Sequence, residues 1–163
     1  MSHNAFDYYW REYKGAIPHD AVVAGQDGRS QKAYIGQAYV KGFGLMVIHI
    51  RPNAKELYAP ICGVKNVNEH IKILCGHQPD FKWIHATAKD LHVRLSGRHG
   101  VIGGHEDGLG SINIGRISYE GGTQIGKINS FGIGNAYFKY VENPWKESGE
   151  VQSYEVLVYE KCK

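Results

Sequence analysis

The sequence lacks any long hydrophobic run. Its first fifteen residues, MSHNAFDYYWREYKG, contain no apolar core of the kind that a secretory signal needs. No later stretch approaches the roughly 18 apolar residues of a membrane span. We therefore expect a soluble protein with no membrane insertion, which is cytoplasmic or is exported without a signal peptide.

Paired cysteines and a strong charge of one sign are also missing. The three cysteines, Cys62, Cys75 and Cys162, are odd in number and have no C-x-x-C spacing, which argues against a disulfide framework and against a zinc site. The formal net charge is only +3, and acidic and basic residues are interspersed along the chain. We expect three free thiols and no nucleic-acid partner, because no basic patch stands out.

The histidines do not follow a metal-binding pattern. None of the nine takes part in an H-x-x-x-H or H-E-x-x-H motif, so no metal or other cofactor is predicted. His105, followed by Glu106 and Asp107, leaves open a loop that ligates a cation, although a turn rich in polar residues accounts for the same three residues.

Motifs of the common catalytic classes are absent as well. There is no G-x-S-x-G elbow, no Walker loop and no G-x-G-x-x-G after a predicted strand. Glycoside hydrolysis stays open as an alternative, because Glu106 with Glu142 or Glu147 could supply its two carboxylates. The prediction is that the protein is not an enzyme.

What the chain does contain is glycine and short strand signals. Glycine occupies 21 of the 163 positions, nearly twice the roughly 7% of average usage. Seven segments of strand-forming residues are bounded by turn residues. These segments are Tyr34 to Val40, Leu45 to Ile50, Leu57 to Ile61, Ile71 to Cys75, Ile112 to Ser118, Ala136 to Val141 and Tyr154 to Tyr159. An all-β fold of antiparallel sheets is predicted.

The strongest pattern is an internal repeat. Shifting the chain by 79 residues superposes AVVAGQDG on GVIGGHED and YIGQA on NIGRI, without a gap over more than thirty residues. The similarity resumes where HIKILC, from His70, aligns with SYEVLV, from Ser153. Trp10 and Trp83 are placed at corresponding positions near the start of each copy.

The repeat predicts two pseudo-symmetric β modules, residues 1–78 and 79–163, in one compact unit. We expect exchanged terminal strands, with the segment from Phe6 to Tyr13 completing the sheet of the second copy. The segment from Phe81 to Leu95 has apolar residues at helical spacing, so an isolated helix there stays open. By the logic of the repeat it matches the strand from Tyr8 to Tyr13.

Four segments, in this order, resemble the DM-nine repeat family. They are GAIPHDAVVAGQD from Gly15, AYIGQA from Ala33, GGTQIGK from Gly121 and SYEVLVY from Ser153. The repeat of that family reads approximately I-P-x-x-A-V-x-A-G-x-D, then Y-I-G-R-A, then G-x-x-T-P-G-K, then Y-E-V-L-V. The resemblance covers nearly the whole chain and implies an all-β tandem-repeat protein.

The resemblance also implies a function, because the family includes invertebrate lectins that recognise mannose in pattern recognition and innate defence. Their sugar lies between the acidic residue of A-G-x-D and the lysine of P-G-K. Carried onto this sequence, the carbohydrate-binding residues are Asp27 in the first copy, and Glu106, Asp107 and Lys127 in the second. The resemblance implies no calcium bridge.

The first copy departs from this pattern. Counted from Gly42 as from Gly121, the position of Lys127 falls on Ile48, so the first copy has no lysine there. Lys41 is a candidate that could partly replace it. The second copy is therefore the better candidate pocket.

Two further expectations concern partners. A lectin with weak sites gains affinity for a glycan surface through avidity, which favours a homodimer. The alternative function is a non-catalytic protein-interaction module with a decayed sugar site, motivated by the lysine that the first copy lacks.

Overall fold

The computed structural model describes residues 6–26, 28, 31–142 and 146–162. These residues are mostly in antiparallel strands, which confirms the all-β prediction. The strands are β1 (Tyr8–Glu12), β2 (Val23–Gln26), β3 (Lys32–Val40), β4 (Gly44–Ile50), β5 (Leu57–Ala59), β6 (Lys65–Val67), β7 (Ile71–Gly76), β8 (Phe81–Thr87), β9 (His99–Gly100), β10 (Ile102–Glu106), β11 (Gly110–Tyr119), β12 (Gly122–Ile128), β13 (Phe138–Lys139), β14 (Val141–Glu142), β15 (Lys146–Glu147) and β16 (Ser153–Tyr159).

Twelve of these strands form one sheet, and β5–β6 and β14–β15 form two small hairpins beside it. The central strands β3 and β4 are buried on both faces over most of their length, whereas strand β13 at the end of the sheet has one buried face. In the predicted strand after Ala136, for example, Ala136, Phe138 and Tyr140 are buried, whereas Tyr137 and Lys139 are partly exposed.

The internal repeat corresponds to matching strand pairings. In the first copy β7 pairs with β3, with Ile73 opposite Gly36, and in the second copy β16 pairs with β11, with Val156 opposite Gly115. Gly36 and Gly115 are 79 residues apart, as the repeat predicts. A side chain at Gly36 would lie 2.6 Å from that of Ile48, so close packing at this point requires glycine.

The two tryptophans also hold matching positions. Trp10 of β1 lies opposite Leu74 of β7, and Trp83 of β8 lies opposite Leu157 of β16. The segment from Phe81 is therefore a strand, as the repeat predicts. The helical spacing further along corresponds to a single turn of α-helix, α1 (Leu91–Arg94).

The exchange of terminal strands that we predicted is wrong. β1 forms its ladder with β7 of its own copy, and not with the second copy. The termini are tied by side chains instead, because the backbone N–H of Asp7 donates to the Tyr159 hydroxyl and the Tyr8 hydroxyl lies 2.6 Å from His99 Nε2. Aromatic packing around Tyr159 thus performs the role that we assigned to a strand.

One ladder joins the two copies into a continuous sheet. β10 of the second copy pairs with β4 of the first, with Glu106 opposite Gly44. Gly44 has a φ of +126°, and a Cβ there would lie 2.2 Å from the carbonyl oxygen of His105. Only glycine allows this approach, so Gly44 fixes the place where the copies meet.

Within the described parts of the chain, none of the helices is long and apolar enough to cross a membrane.

Candidate functional site

The predicted residues Glu106 and Lys127 form an ion pair at the end of β10. Lys127 Nζ donates a hydrogen bond to Glu106 Oε2 at 3.2 Å. Only 1% of Lys127 and 9% of Glu106 is exposed. Charged residues are almost never buried to this extent without a partner, so this pair is a built feature of the fold.

The sheet brings these two residues together although they are 21 positions apart. Glu106 is the last residue of β10 and lies opposite Gly110 at the start of β11. The chain then runs along β11 and returns along β12, where Lys127 lies opposite Ile114. The β10–β11–β12 meander therefore carries the lysine back beside the carboxylate.

A second ion pair lies next to the first. Lys139 of β13 is directly opposite Lys127, and its Nζ is 3.0 Å from Glu147 Oε1. The other oxygen of Glu147 accepts a hydrogen bond from the backbone N–H of Gly63 at 2.8 Å. Gly63 belongs to the first copy, so this polar network spans both copies.

Burial and neighbouring charges act in opposite directions on Lys127. Burial lowers the pKa of the Lys127 ammonium below its ordinary value, because the charged form loses hydration. The carboxylates of Glu106 and Glu147 raise this pKa, and the Lys139 ammonium lowers it. The net direction is down, so Lys127 gives up its proton at a lower pH than an exposed lysine does.

Asp107 does not join the ion pair. Its side chain is half exposed, and His105 Nε2 lies 3.3 Å from its Oδ1. Its backbone N–H donates to the carbonyl of Phe43 at 2.8 Å, in the β3–β4 turn. The structure thus brings Glu106, and not Asp107, to Lys127.

His105 and Asp107 also belong to the segment in which the sequence allowed either a cation-binding loop or a polar turn. In the described residues no three His, Cys, Asp or Glu side chains converge on one point. All three cysteines are free thiols.

Of the two first-copy candidates, only Lys41 lies in the described part of the chain. Lys41 is exposed in the β3–β4 turn, where it lines an open groove with residues 66–70. Asp27 lies outside the described residues.

The correspondence of Ile48 with Lys127 is wrong, and the cause is a difference in turn length. Three residues separate the paired Val40 and Gly44 at the tip of the β3–β4 hairpin, whereas two separate Tyr119 and Gly122 in the β11–β12 hairpin. The offset between the copies therefore changes from 79 to 78 across the turn.

His49 is the true counterpart of Lys127. Ile35 lies opposite His49 as Ile114 lies opposite Lys127. The backbone N–H of Ile125 donates to His49 Nδ1 at 3.2 Å. A cavity of about 80 Å³ opens beside His49, lined in part by Arg51, Glu56 and Tyr58.

Sequence reasoning did not find Lys139 and Gly63, and it named Glu147 only as a candidate carboxylate for glycoside hydrolysis. Their separation along the chain gives no regular spacing, and the contact of Gly63 with Glu147 links two loops. The only available signal was the pairing of the strand after Ala136 with β12, which places Lys139 opposite Lys127.

Two aromatic side chains near Lys127 in the sequence are engaged in other contacts. The Tyr119 hydroxyl donates to Glu142 Oε1 at 3.0 Å, and Phe131 packs on the core.

No curated protein matches the chain in sequence. The DM9 repeat matches residues 44–147, well over half of the chain, and this range contains Glu106, Asp107 and Lys127 from the predicted site. That family is broadly of carbohydrate-binding type. The chain belongs to the DM9 repeat family.

Proposed function

We propose that the protein is a lectin that binds mannose-type glycans at the Glu106–Lys127 pair. The observation that carries the proposal is this buried pair, which joins the acidic position and the lysine position of the repeat within 3.2 Å. A buried ion pair adds little net free energy of unfolding, because the cost of removing both charges from water offsets their attraction. Its presence at the end of β10 is better explained by a ligand that uses it.

The chemistry of the pair suits a sugar. A hexose offers neighbouring hydroxyls, each of which is both donor and acceptor. An ammonium has three donors and a carboxylate has about four acceptor positions. Only one donor of Lys127 is used by Glu106. The remaining positions can form charge-assisted hydrogen bonds of defined direction.

We further propose that the protein is non-catalytic. The candidate carboxylates for glycoside hydrolysis each have a partner: Glu106 contacts Lys127, Glu147 contacts Lys139, and Glu142 accepts from Tyr119. These contacts engage all three carboxylates, whereas glycoside hydrolysis needs two carboxyl groups that flank the scissile bond. A sugar can be held by this arrangement without being cleaved.

The proposed biological role is recognition of glycan surfaces, as in innate defence. Several weak sites on one particle multiply the effective affinity, so we propose a homodimer. Light scattering that showed only a monomer at working concentrations would contradict the dimer.

Calorimetric titration with mannose tests the proposal, with galactose for selectivity and a chelator present throughout. We expect mannose-selective heat for the wild type. Lys127→Met should abolish it, because methionine retains the apolar stem and removes the ammonium. Lys82→Met is the matched control, because Lys82 also pairs with a carboxylate, that of Glu160 at 2.9 Å, but both side chains are exposed. This variant should bind mannose like the wild type.

Two outcomes would contradict the proposal. The first is mannose binding by Lys127→Met at wild-type affinity. The second is the absence of heat with every saccharide, which together with a specific protein captured by the chain would favour the protein-interaction module. Release of reducing sugar from a glycan would contradict the non-catalytic role.

A further inference from the structure

An open groove of about 500 Å³ lies between strand β8 and the segment that contains α1. Of the described residues that line it, two are arginines and none is acidic. Guanidinium groups are the side chains best suited to bind planar or tetrahedral oxyanions, so the walls of this groove are those expected of an anion site. The lining residues are Ile84, His85, Val93, Arg94, Ser96 and Arg98.

Strand β8 presents a backbone donor to this groove. Among the described strands β8 pairs only with β16, so its other edge is open. Just after β8, the N–H of Ala88 donates to the carbonyl of Gln152 on the β16 side at 2.8 Å, whereas the N–H of Thr87 donates to Asp90 Oδ1 on the open side at 2.7 Å. Backbone N–H groups alternate between the two sides of such a strand. The N–H of His85 therefore points to the open side, where no described residue accepts from it.

The imidazole of His85 is not part of the groove. Successive side chains of a strand point to opposite faces of the sheet. Ile84 packs on the same core cluster as Leu91 and Leu95, so it lies on the face that α1 covers. The His85 imidazole lies on the other face, where its Nε2 is 2.9 Å from Ser153 Oγ. His85 thus contributes its backbone edge, and the site does not depend on the charge of this histidine.

Asp90 holds Arg94 beside the open edge of β8. Its Oδ1 accepts from the backbone N–H and the hydroxyl of Thr87, at 2.7 and 2.9 Å, and its Oδ2 accepts from Arg94 Nε at 3.2 Å. A guanidinium has five N–H donors. Within the described residues the contact with Asp90 is the only side-chain contact of Arg94, so its two terminal nitrogens keep their donors. The carboxylate therefore orients the arginine without occupying its outer side.

Arg98 supplies a positive charge that is not compensated. Its backbone N–H donates to the carbonyl of Leu95 at 2.9 Å, so a tight turn after α1 keeps Arg98 near the helix. Among the described residues no carboxylate lies within ion-pair distance of its guanidinium, and none accepts from or donates to the Ser96 hydroxyl. Since Asp90 balances Arg94, the charge of Arg98 is left for a ligand.

We propose that this groove binds a tetrahedral oxyanion, namely the phosphate or sulfate group of an ester. The guanidinium groups of Arg94 and Arg98 bind its oxygens by charge-assisted hydrogen bonds, and the Ser96 hydroxyl and the His85 N–H donate from two further directions. Donors that come from several directions suit the three free oxygens of such an ester better than the two oxygens of a planar carboxylate. The site lies apart from the proposed mannose site and does not depend on it.

NMR titration of the ¹⁵N-labelled protein tests this site, with methyl phosphate, methyl sulfate and acetate at constant ionic strength. At least one ester should shift the amide resonance of His85 and bind about tenfold more tightly than acetate. Arg98→Gln should weaken the binding of that ester about tenfold, because a charge-assisted contact is lost. Arg11→Gln is the matched control, since Arg11 of β1 is also exposed and lies 3.9 Å from a carboxylate, that of Asp20.

The order of the two esters identifies the source of the anion. Tighter binding of methyl phosphate supports a phosphate ester, and tighter binding of methyl sulfate supports a sulfate ester. The absence of binding, acetate binding as tight as that of the esters, or an unshifted His85 amide would each overturn the site. Equal weakening by Arg98→Gln and Arg11→Gln would overturn it too, because it would show a general effect of charge. Arg98→Gln should bind mannose like the wild type, so failure of this site would leave the proposed function standing.

Discussion

The two copies of the repeat share their strand pairings but differ at the position of the functional cation. In the second copy a two-residue turn leads to Lys127, which is buried against Glu106. In the first copy a three-residue turn leads to His49, which accepts a hydrogen bond from the backbone of Ile125. The same sheet thus supports an ion pair in one copy and a hydrogen-bonded histidine beside a small cavity in the other.

The comparison shows that the glycine framework and the binding chemistry vary separately. Gly36 and Gly115 are retained where the strands pack closely, because any side chain there would displace the core. The cation position faces no such demand, so its residue can change without loss of the fold. The asymmetry between Lys127 and His49 therefore concerns function more than architecture.

The largest expected effect is at the ladder that joins the copies. Gly44→Ala should destabilise the protein by about 4 kcal/mol, because the φ of +126° is strained for alanine and the new Cβ would lie 2.2 Å from His105 O. Chemical denaturation measures this effect.

Gly42→Ala is the control for that substitution. Gly42 also has a positive φ, of +84°, but nothing lies within 4 Å of a Cβ built there. Its cost should be about 1 kcal/mol, from the backbone conformation alone. Equal costs at the two positions would contradict the close approach of β4 and β10.

The next effect concerns the ion pair. Lys127→Met should reduce the free energy of unfolding by about 3 kcal/mol, because it leaves the Glu106 carboxylate buried without its partner. Adding Glu106→Gln should restore much of the stability but not the mannose binding. If the double variant stayed as unstable as the single one, the cost would lie in packing and not in the unpaired carboxylate.

Alkaline pH should weaken mannose binding by the wild type. The pKa of Lys127 is lowered from its ordinary 10.5, mainly by burial, so the ammonium loses its proton before pH 10.5 is reached. Affinity should therefore fall by about tenfold as pH rises toward 10.5, since a charge-assisted donor is lost.

The free energy of unfolding should instead rise with pH over the same range. The unfolded chain binds the proton of Lys127 more tightly than the folded chain does, so this residue favours folding increasingly as pH rises between the two pKa values. Lys127→Met should lack this contribution. Mannose affinity that stayed constant up to pH 10.5 would contradict the role of the ammonium.

The smallest effect is expected at the corresponding position of the first copy. His49→Ala should cost about 1 kcal/mol, from the lost hydrogen bond with Ile125 N–H, and should change mannose affinity less than twofold. Denaturation and calorimetry measure the two quantities. A loss of mannose binding comparable to that of Lys127→Met would show that the first copy carries the site.

Much of the fold could be predicted from the sequence, because a duplicated chain repeats its strand and turn signals. The 79-residue offset and the matching positions of Trp10 and Trp83 follow from that repeat. Ile48 was wrongly matched with Lys127, because a one-residue change in turn length hardly alters sequence similarity. That change nevertheless moves every later residue of the ladder by one place.

Only those site residues that belong to the family motif could be predicted from the sequence. Glu106 and Lys127 are marked by the family pattern, but the neighbouring Lys139 and Glu147 contact each other through tertiary packing of short strands. The tie between the termini depends on aromatic side chains around Tyr159, and these give no periodic signal that distinguishes packing from strand exchange.

The most direct test of the central claim is a crystal structure of the protein grown with mannose. The account predicts one mannose per chain with its hydroxyls bonded to Lys127 Nζ and Glu106, and no sugar beside His49. A mannose in the cavity at His49, with the Glu106–Lys127 pair untouched, would contradict it.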